Sequence, residues 1–201
     1  MLTTIAALKL RLGIQDSDVK DDDLMNAAIA ALSSRIEDRC NRKFGYAVNV
    51  QQEFEADSMQ IVVANYPINE AQPITFQYRR TAAEGWLNAQ NVDYLVNGGC
   101  IISLHSLIGS RSMQARVIYS GGYVLPDMDP VAGVDALPAD IENAVIEQLA
   151  FWFQNKSHLG ASAVAGQGGS VSFRGLAGFA KEASFLPGVQ DVVDQHERWN
   201  M

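Results

Sequence analysis

The stretch LPADIENAVIEQLAFWFQN, Leu137 to Asn155, carries the strongest helical signal in the chain. Pro138 suits a first helical turn, where its missing N–H would have no intrahelical partner. Asp140 and Glu142 place negative charge at the positive end of the helix dipole. Ile141, Val145, Leu149 and Trp152 or Phe153 recur at three- and four-residue spacing and form one apolar stripe. Glu142, Asn143, Glu147, Gln154 and Asn155 make the opposite face polar. Such a stripe must be buried, and the N-terminal helices are its expected cover. Phe151, Trp152 and Phe153 are successive, about 100° apart around a helix. At least one of them is expected to point away from the core, towards a neighbouring subunit or the C-terminal arm.

Working towards the N-terminus, Thr3 or Thr4 caps a short helix running to Leu12, with Ile5, Leu8 and Leu12 on one side. Gly13 is its natural stop. Asp21, Asp22 and Asp23 open a second helix expected to reach about Asn41. Leu24, Ala28, Ala31 or Leu32, Arg35 and Cys40 trace one face, with Ile29 and Ile36 beside it. Ala27, Ala28, Ala30 and Ala31 would allow close helix approach. The preceding DSDVKDDD is acidic but lacks the Gly and Glu positions of a calcium loop.

Between these helical stretches the period changes to two. Val48, Val50, Gln52 and Phe54 alternate, as do Ile61 and Val63, and Ile74, Phe76 and Tyr78. Thr81–Gln90 reads as a loop carrying Trp86. Residues 93–96 and 100–104 flank Asn97-Gly98-Gly99, a hairpin signal. Ala115, Val117 and Tyr119 give a further strand, ended by Gly121-Gly122. Five or six short antiparallel strands in one small sheet are expected.

After Asn155 the chain becomes glycine-rich. GASAVAGQGGS is too rich in glycine to hold a regular element in isolation, although Val171–Arg174 could be a short strand. The phenylalanines and aliphatics embedded here favour an arm that orders on a partner over a plain linker. Phe185-Leu186-Pro187 then starts a last helix, with Val189, Val192, Val193 and His196 on one side. The fold class is therefore α+β: a small helical bundle of three main helices plus a C-terminal helix, with an inserted antiparallel β region. The expected divisions are 1–44 for the N-terminal helices, 45–125 for the β region, 126–156 for the main helix with its lead-in, and 157–201 for the arm and last helix.

The 201 residues suit one domain with appendages, and 48% hydrophobic with 19% charged residues provides a core. The net charge of −8 argues against wrapping nucleic acid, which needs Lys and Arg against phosphates. Residues 1–14 lack the charge order and cleavage site of a signal peptide. No run reaches the roughly 20 apolar residues that span a bilayer, so a soluble, intracellularly made protein without a membrane partner is expected. Cys40 and Cys100 fit small apolar core residues rather than a disulfide framework. His105, His158 and His196 lie in unlike segments without metal spacing and read as surface or loop positions. Gly166-Gln167-Gly168-Gly169 lacks the P-loop pattern, and GxSxG is absent. Asp127 and Asp129 read as a solvated loop. No catalytic, cofactor or metal residue is nominated, and no enzyme activity is expected.

The order of these segments resembles the head–tail connector (adaptor) family of tailed bacteriophages. TTIAALKLRLGI followed by DDDLMNAAIAALSSRIEDRCNRKF is similar to that family's N-terminal helix pair, which closes on Cys-x-Arg-x-Phe, here Cys40, Arg42 or Lys43, and Phe44. NYPINEAQPITFQY and VIYSGGY resemble its β region. LPADIENAVIEQLAFWF resembles its third helix and FLPGVQDVV its closing helix. The glycine-rich segment and the size of the β region depart from the shortest members. The resemblance implies a structural virion protein of the neck, made in the host cytoplasm. It implies a homo-oligomeric ring, commonly of twelve, between the portal protein and a downstream neck or tail-terminator protein. The genome would pass through its lumen without specific binding, and acidic residues facing that lumen would repel phosphate. Residues 157–199 are expected to carry much of the portal contact. Trp152, Phe173, Phe179, Phe185, Leu186 and Trp199 are the expected portal or subunit contacts. The competing reading is a small-ligand or carbohydrate-binding module, with Trp86, Tyr78 and Tyr94 as a stacking surface.

Overall fold

The structure is a computed structural model and describes residues 1–81, 83–155, 163–166, 169–172 and 185–198. Its class is mixed α+β, with four helices and antiparallel sheets among the described residues. Two units form, one from Met1–Cys40 and Pro138–Glu197, the other from Asn41–Leu137 and Arg198–Met201.

The first unit holds α1 (Ile5–Leu12), α2 (Asp22–Arg39), α3 (Ala139–Gln154) and α4 (Pro187–Gln195). The stretch Leu137–Asn155 supplies α3, which packs against each of the other three helices. Its buried face is Ile141, Ala144, Val145, Gln148, Leu149 and Ala150. That is the expected stripe with a glutamine inside it. Thr4 caps α1 by accepting from the Ala7 N–H at 3.2 Å, and Gly13 ends it at φ 70°. A left-handed residue there costs glycine nothing. Lys9 is buried, and its ammonium meets Asp22 at 2.7 Å, which ties the acidic start of α2 back to α1.

The inward face of α2 differs from the expected one. Met25, Ile29, Leu32, Ser33 and Ile36 are buried, whereas Leu24 is 57% exposed. The stripe at 25, 29, 32 and 36 carries Met, Ile, Leu and Ile. The stripe through Leu24 is mostly alanine. Burial favours the face with more apolar area, at about 25 cal/mol per Å². Ala27, Ala30 and Ala31 are consequently exposed. The helix ends at Arg39 rather than Asn41, because Asn41 sits at φ 50° and cannot continue it.

The second unit contains β1 (Ala47–Glu55), β2 (Gln60–Val62), β3 (Thr75–Arg79), β4 (Leu87–Asn88), β5 (Tyr94–Asn97), β6 (Ile101–Leu104) and β7 (Gln114–Gly121). The expected single sheet is in fact two. One has the order β1-β7-β3-β4 and the other β2-β6-β5. β1 and β2 are consecutive but do not pair as a hairpin. Instead the Gln52 side chain bridges them: its Nε2 donates to the Val62 carbonyl at 2.8 Å, and its Oε1 accepts from the Ala64 N–H at 2.8 Å. A side-chain amide thus stands where a strand's peptide group would. Both sheets bury residues into one core: Ile61, Ile102 and Leu104 from one, Phe76, Val117 and Tyr119 from the other, with Val63 and Ile68.

Two local departures have physical causes. Val48 is 63% exposed, because the β1–β7 register shifts between Ala47 and Val50, where Asn49 takes φ 54°. In the β5–β6 hairpin, Gly98 and Gly99 rather than Asn97-Gly98 are the central turn residues, at φ 56° and 68°. The Cys100 N–H donates back to the Asn97 carbonyl at 3.3 Å. A turn with two positive φ values matches the strand twist. In the glycine-rich stretch, where a short strand was expected only at Val171–Arg174, the backbone forms an antiparallel pair, β8 (Ala163–Gly166) with β9 (Gly169–Ser172).

Candidate interaction surfaces

In the helical unit the sequence nominated contacts near the end of α3 and the start of α4. Phe185 is buried within this unit, with the Arg35 guanidinium 4.9 Å from its ring centre. Leu186 is half-buried, and its N–H donates to Gln148 Oε1 at 2.8 Å. Val189 and Val193 are buried on the inner side of α4. Trp152 is half-buried, as are Phe151 and Phe153. Phe173, Phe179 and Trp199, together with His158, lie outside the described residues.

Gln148 is the residue that pattern reading passed over. It is 1% exposed and satisfies the first backbone donor of the segment entering α4. Its spacing, three residues after Val145 and seven after Ile141, already placed it in the stripe. A buried glutamine there needs a partner, and Leu186 supplies it. His196 is a second such residue, because its Nε2 lies 2.8 Å from Asp140 Oδ2 at the start of α3. Partial burial pulls the Asp140 carboxyl upward. The hydrogen bond and charge of His196, joined by the Ile141 N–H, outweigh that and hold it below its ordinary value. Arg39 reaches Asp194 at 3.3 Å and Glu197 at 3.4 Å. These are exposed pairs, worth well under about 1 kcal/mol each.

In the β unit one arginine is interior. Arg42 is 4% exposed, lies over the rings of Phe44, Tyr66 and Tyr123, and donates to the Tyr66 carbonyl. Burial pushes its guanidinium below the ordinary arginine value, while the two tyrosines act the other way. The Arg and Phe of the Cys-x-Arg-x-Phe signature, Arg42 and Phe44, therefore act as interior packing residues of this unit. Phe44 is itself fully buried.

The outer face of the β1-β7-β3-β4 sheet has a different character. Arg79 and Arg116 place their guanidinium carbons 4.3 and 4.4 Å from the Trp86 ring centre. Arg116 donates to Gln77 at 2.6 Å and to Gln51 at 2.7 Å, and Arg79 donates to Gln114 at 2.6 Å. Gln77 in turn donates to Asn88 at 2.7 Å. Glu53 stands 3.8 Å from Arg79. Tyr78 shares the parity of buried Phe76 along β3, and so belongs to the opposite face from Gln77 and Arg79. Tyr94 meets Phe76, with ring centres 5.4 Å apart. Trp86, Tyr78 and Tyr94 are thus not gathered into one stacking surface. Among the described residues no cluster of three or more His, Cys, Asp and Glu could hold a metal ion, and no helix is long and apolar enough to cross a membrane.

The helix pair and the strands that follow it are the part of the chain a family profile recognises. Residues 2–96 match the profile of phage gp6-like head-tail connector proteins. The match takes in α1, α2 and the strands through β5. A chain in the solved structure described as the neck of an empty GTA particle computed with C6 symmetry shares the fold. The TM-score is 0.56 at 12% identity, over 98% of this chain and 89% of that one. The likeness therefore extends past the connector profile, through α3 and α4. No curated protein sequence matches the chain.

Proposed function

We propose that the protein is a structural component of a phage-type virion neck, an adaptor between head and tail rather than an enzyme. The match of residues 2–96 to the connector family carries this reading. The shared fold with a chain of a particle neck supports it over the remaining length. In the finer form, identical subunits close into a ring beneath the portal protein, and a further neck or tail-terminator protein joins the other side. Twelve subunits is the count we infer. It is compatible with the sixfold symmetry applied to the neck that shares the fold, because six divides twelve. The genome passes through the lumen without sequence-specific contacts, and a net charge of −8 disfavours its adhesion to the wall.

Portal contact is assigned to the segment 157–184, with Phe173 and Phe179, flanked by half-buried Trp152 and Leu186 and followed by Trp199. Phe185 is less suited to a partner, since its ring is buried in the subunit's own core. The test must spare α4, which contributes Phe185, Val189 and Val193 to that core. A variant with 157–184 replaced by a Gly/Ser linker should keep its circular dichroism spectrum yet be lost from immobilised portal. Retention equal to wild type would remove the arm assignment. Failure of the wild type both to bind portal and to form rings with it in electron micrographs would remove the connector reading itself.

A further inference from the structure

We infer that the Arg79–Trp86–Arg116 face of the β unit docks a second copy of this chain, and that the occupant is the acidic loop Asp16–Asp23 with the start of α2. The inference rests on the ring-forming reading above and names its subunit contact. Four observations carry it. First, the two arginines are held rather than free: Gln51, Gln77 and Gln114 fix their guanidinium groups by hydrogen bonds of 2.6–2.7 Å, and Trp86 packs against both. Fixing these long side chains before binding removes an entropy cost that association would otherwise meet. Second, the hydrogen-bonding partners of Arg116 are amides, which orient its charge, whereas Glu53, 3.8 Å from Arg79, offsets part of that arginine's charge, so Arg116 is the main cation of the face. Third, Trp and Arg are the side chains that most often dominate interfaces, and Trp86 and both arginines are half-buried on this face, partly open to a partner. Fourth, the chain carries a surface complementary in both charge and polarity. Asp16, Asp18 and Asp23 are exposed around Val19, 68% exposed, and Leu24, and they outnumber the one exposed cation of the loop, Lys20. Asp22 belongs to Lys9 and is not counted. A contact between two unlike patches is heterologous, the kind that closes into a ring by rotation.

The test uses two full-length variants that each keep one patch. Arg79→Glu/Arg116→Glu retains the acidic loop, and Asp18→Lys/Asp23→Lys retains the basic face. Labelling the first and titrating with the second, read by fluorescence anisotropy, should give saturable one-to-one binding. That binding should weaken roughly tenfold from low to high salt. It should vanish when both chains carry the Arg→Glu changes, and a chain bearing all four changes should associate with itself again. Two variants guard against misfolding. Arg79→Gln/Arg116→Gln should behave as the glutamate pair does. Trp86→Ala in the basic-face chain should weaken binding by about tenfold or more with an unchanged circular dichroism spectrum. Absence of saturable binding, binding indifferent to the Arg→Glu changes, or binding of this face to an oligonucleotide instead would overturn the inference. None of these readouts involves portal, so a negative titration beside intact portal retention removes this interface and leaves the connector reading standing.

Discussion

Replacing Gln52 by leucine tests the least expected feature of the β unit, a side-chain amide that joins two sheets. In the native fold Gln52 accepts from the Ala64 N–H and donates to the Val62 carbonyl, both at 2.8 Å. The Tyr119 hydroxyl stands 3.5 Å from the same Oε1. Leucine keeps similar bulk and removes all of this. The two lost groups do not weigh equally. Val62 also accepts from Arg198 at 3.3 Å, so its carbonyl keeps a partner. The Ala64 N–H is left without an acceptor in a partly buried setting, which costs about 1–3 kcal/mol. The lost carbonyl bond adds about 0.5–1 kcal/mol. A total near 2 kcal/mol should lower the melting temperature by about 4–8 °C. The sharper assay is amide hydrogen exchange by NMR. Ala64 should lose protection well beyond its neighbours in Gln52→Leu. It should keep most of its protection in Gln52→Glu, which preserves the acceptor and loses only the donor. Unchanged Ala64 protection in the leucine variant would refute the account of how β1 and β2 are joined.

Two further outcomes are expected. Gly122→Ala should destabilise by about 3 kcal/mol or more in urea denaturation, since φ is 113° and a Cβ would lie 2.5 Å from the Gly45 carbonyl oxygen. Gly98→Ala, at φ 56° in open space, should cost only about 1–2 kcal/mol, and equal costs at the two sites would contradict the packing described. Asp140 titrates below its ordinary value, so the unfolded chain takes up this proton first as the pH falls. Its pair with His196 therefore stabilises the fold above about pH 4, and that contribution fades as the pH drops through the folded value. Stability measured against pH should be flatter on this acid limb for Asp140→Asn than for wild type. The difference should be small, because the carboxylate is 42% exposed, and parallel curves would argue against the pair.

Regular elements with strong periodicity were readable directly. The helix at Ala139–Gln154, the caps at Thr4 and Gly13, and the alternation of Phe76 with Tyr78 and of Val117 with Tyr119 all follow from local spacing and backbone preference. The acidic α+β character and the order of segments that resembles the connector family are likewise properties of the chain itself. What local pattern could not decide was competition between near-equal alternatives. The face α2 turns inward depended on which of two adjacent stripes buries more apolar area, and the larger side chains won. The strands formed two sheets instead of one because Gln52 satisfied peptide groups that a neighbouring strand would otherwise have taken. A glutamine in a strand carries no sequence mark of that role. The same holds for Gln148 and His196, whose partners lie 38 and 56 residues away. Nor does spacing set Trp86 between two arginines, since that needs β3 and β7 paired side by side. The sequence by itself determined which segments are helix or strand, because those preferences act over a few residues. Only the tertiary structure decided which polar side chains are interior and which face outward, because each depends on a partner that folding brings into reach.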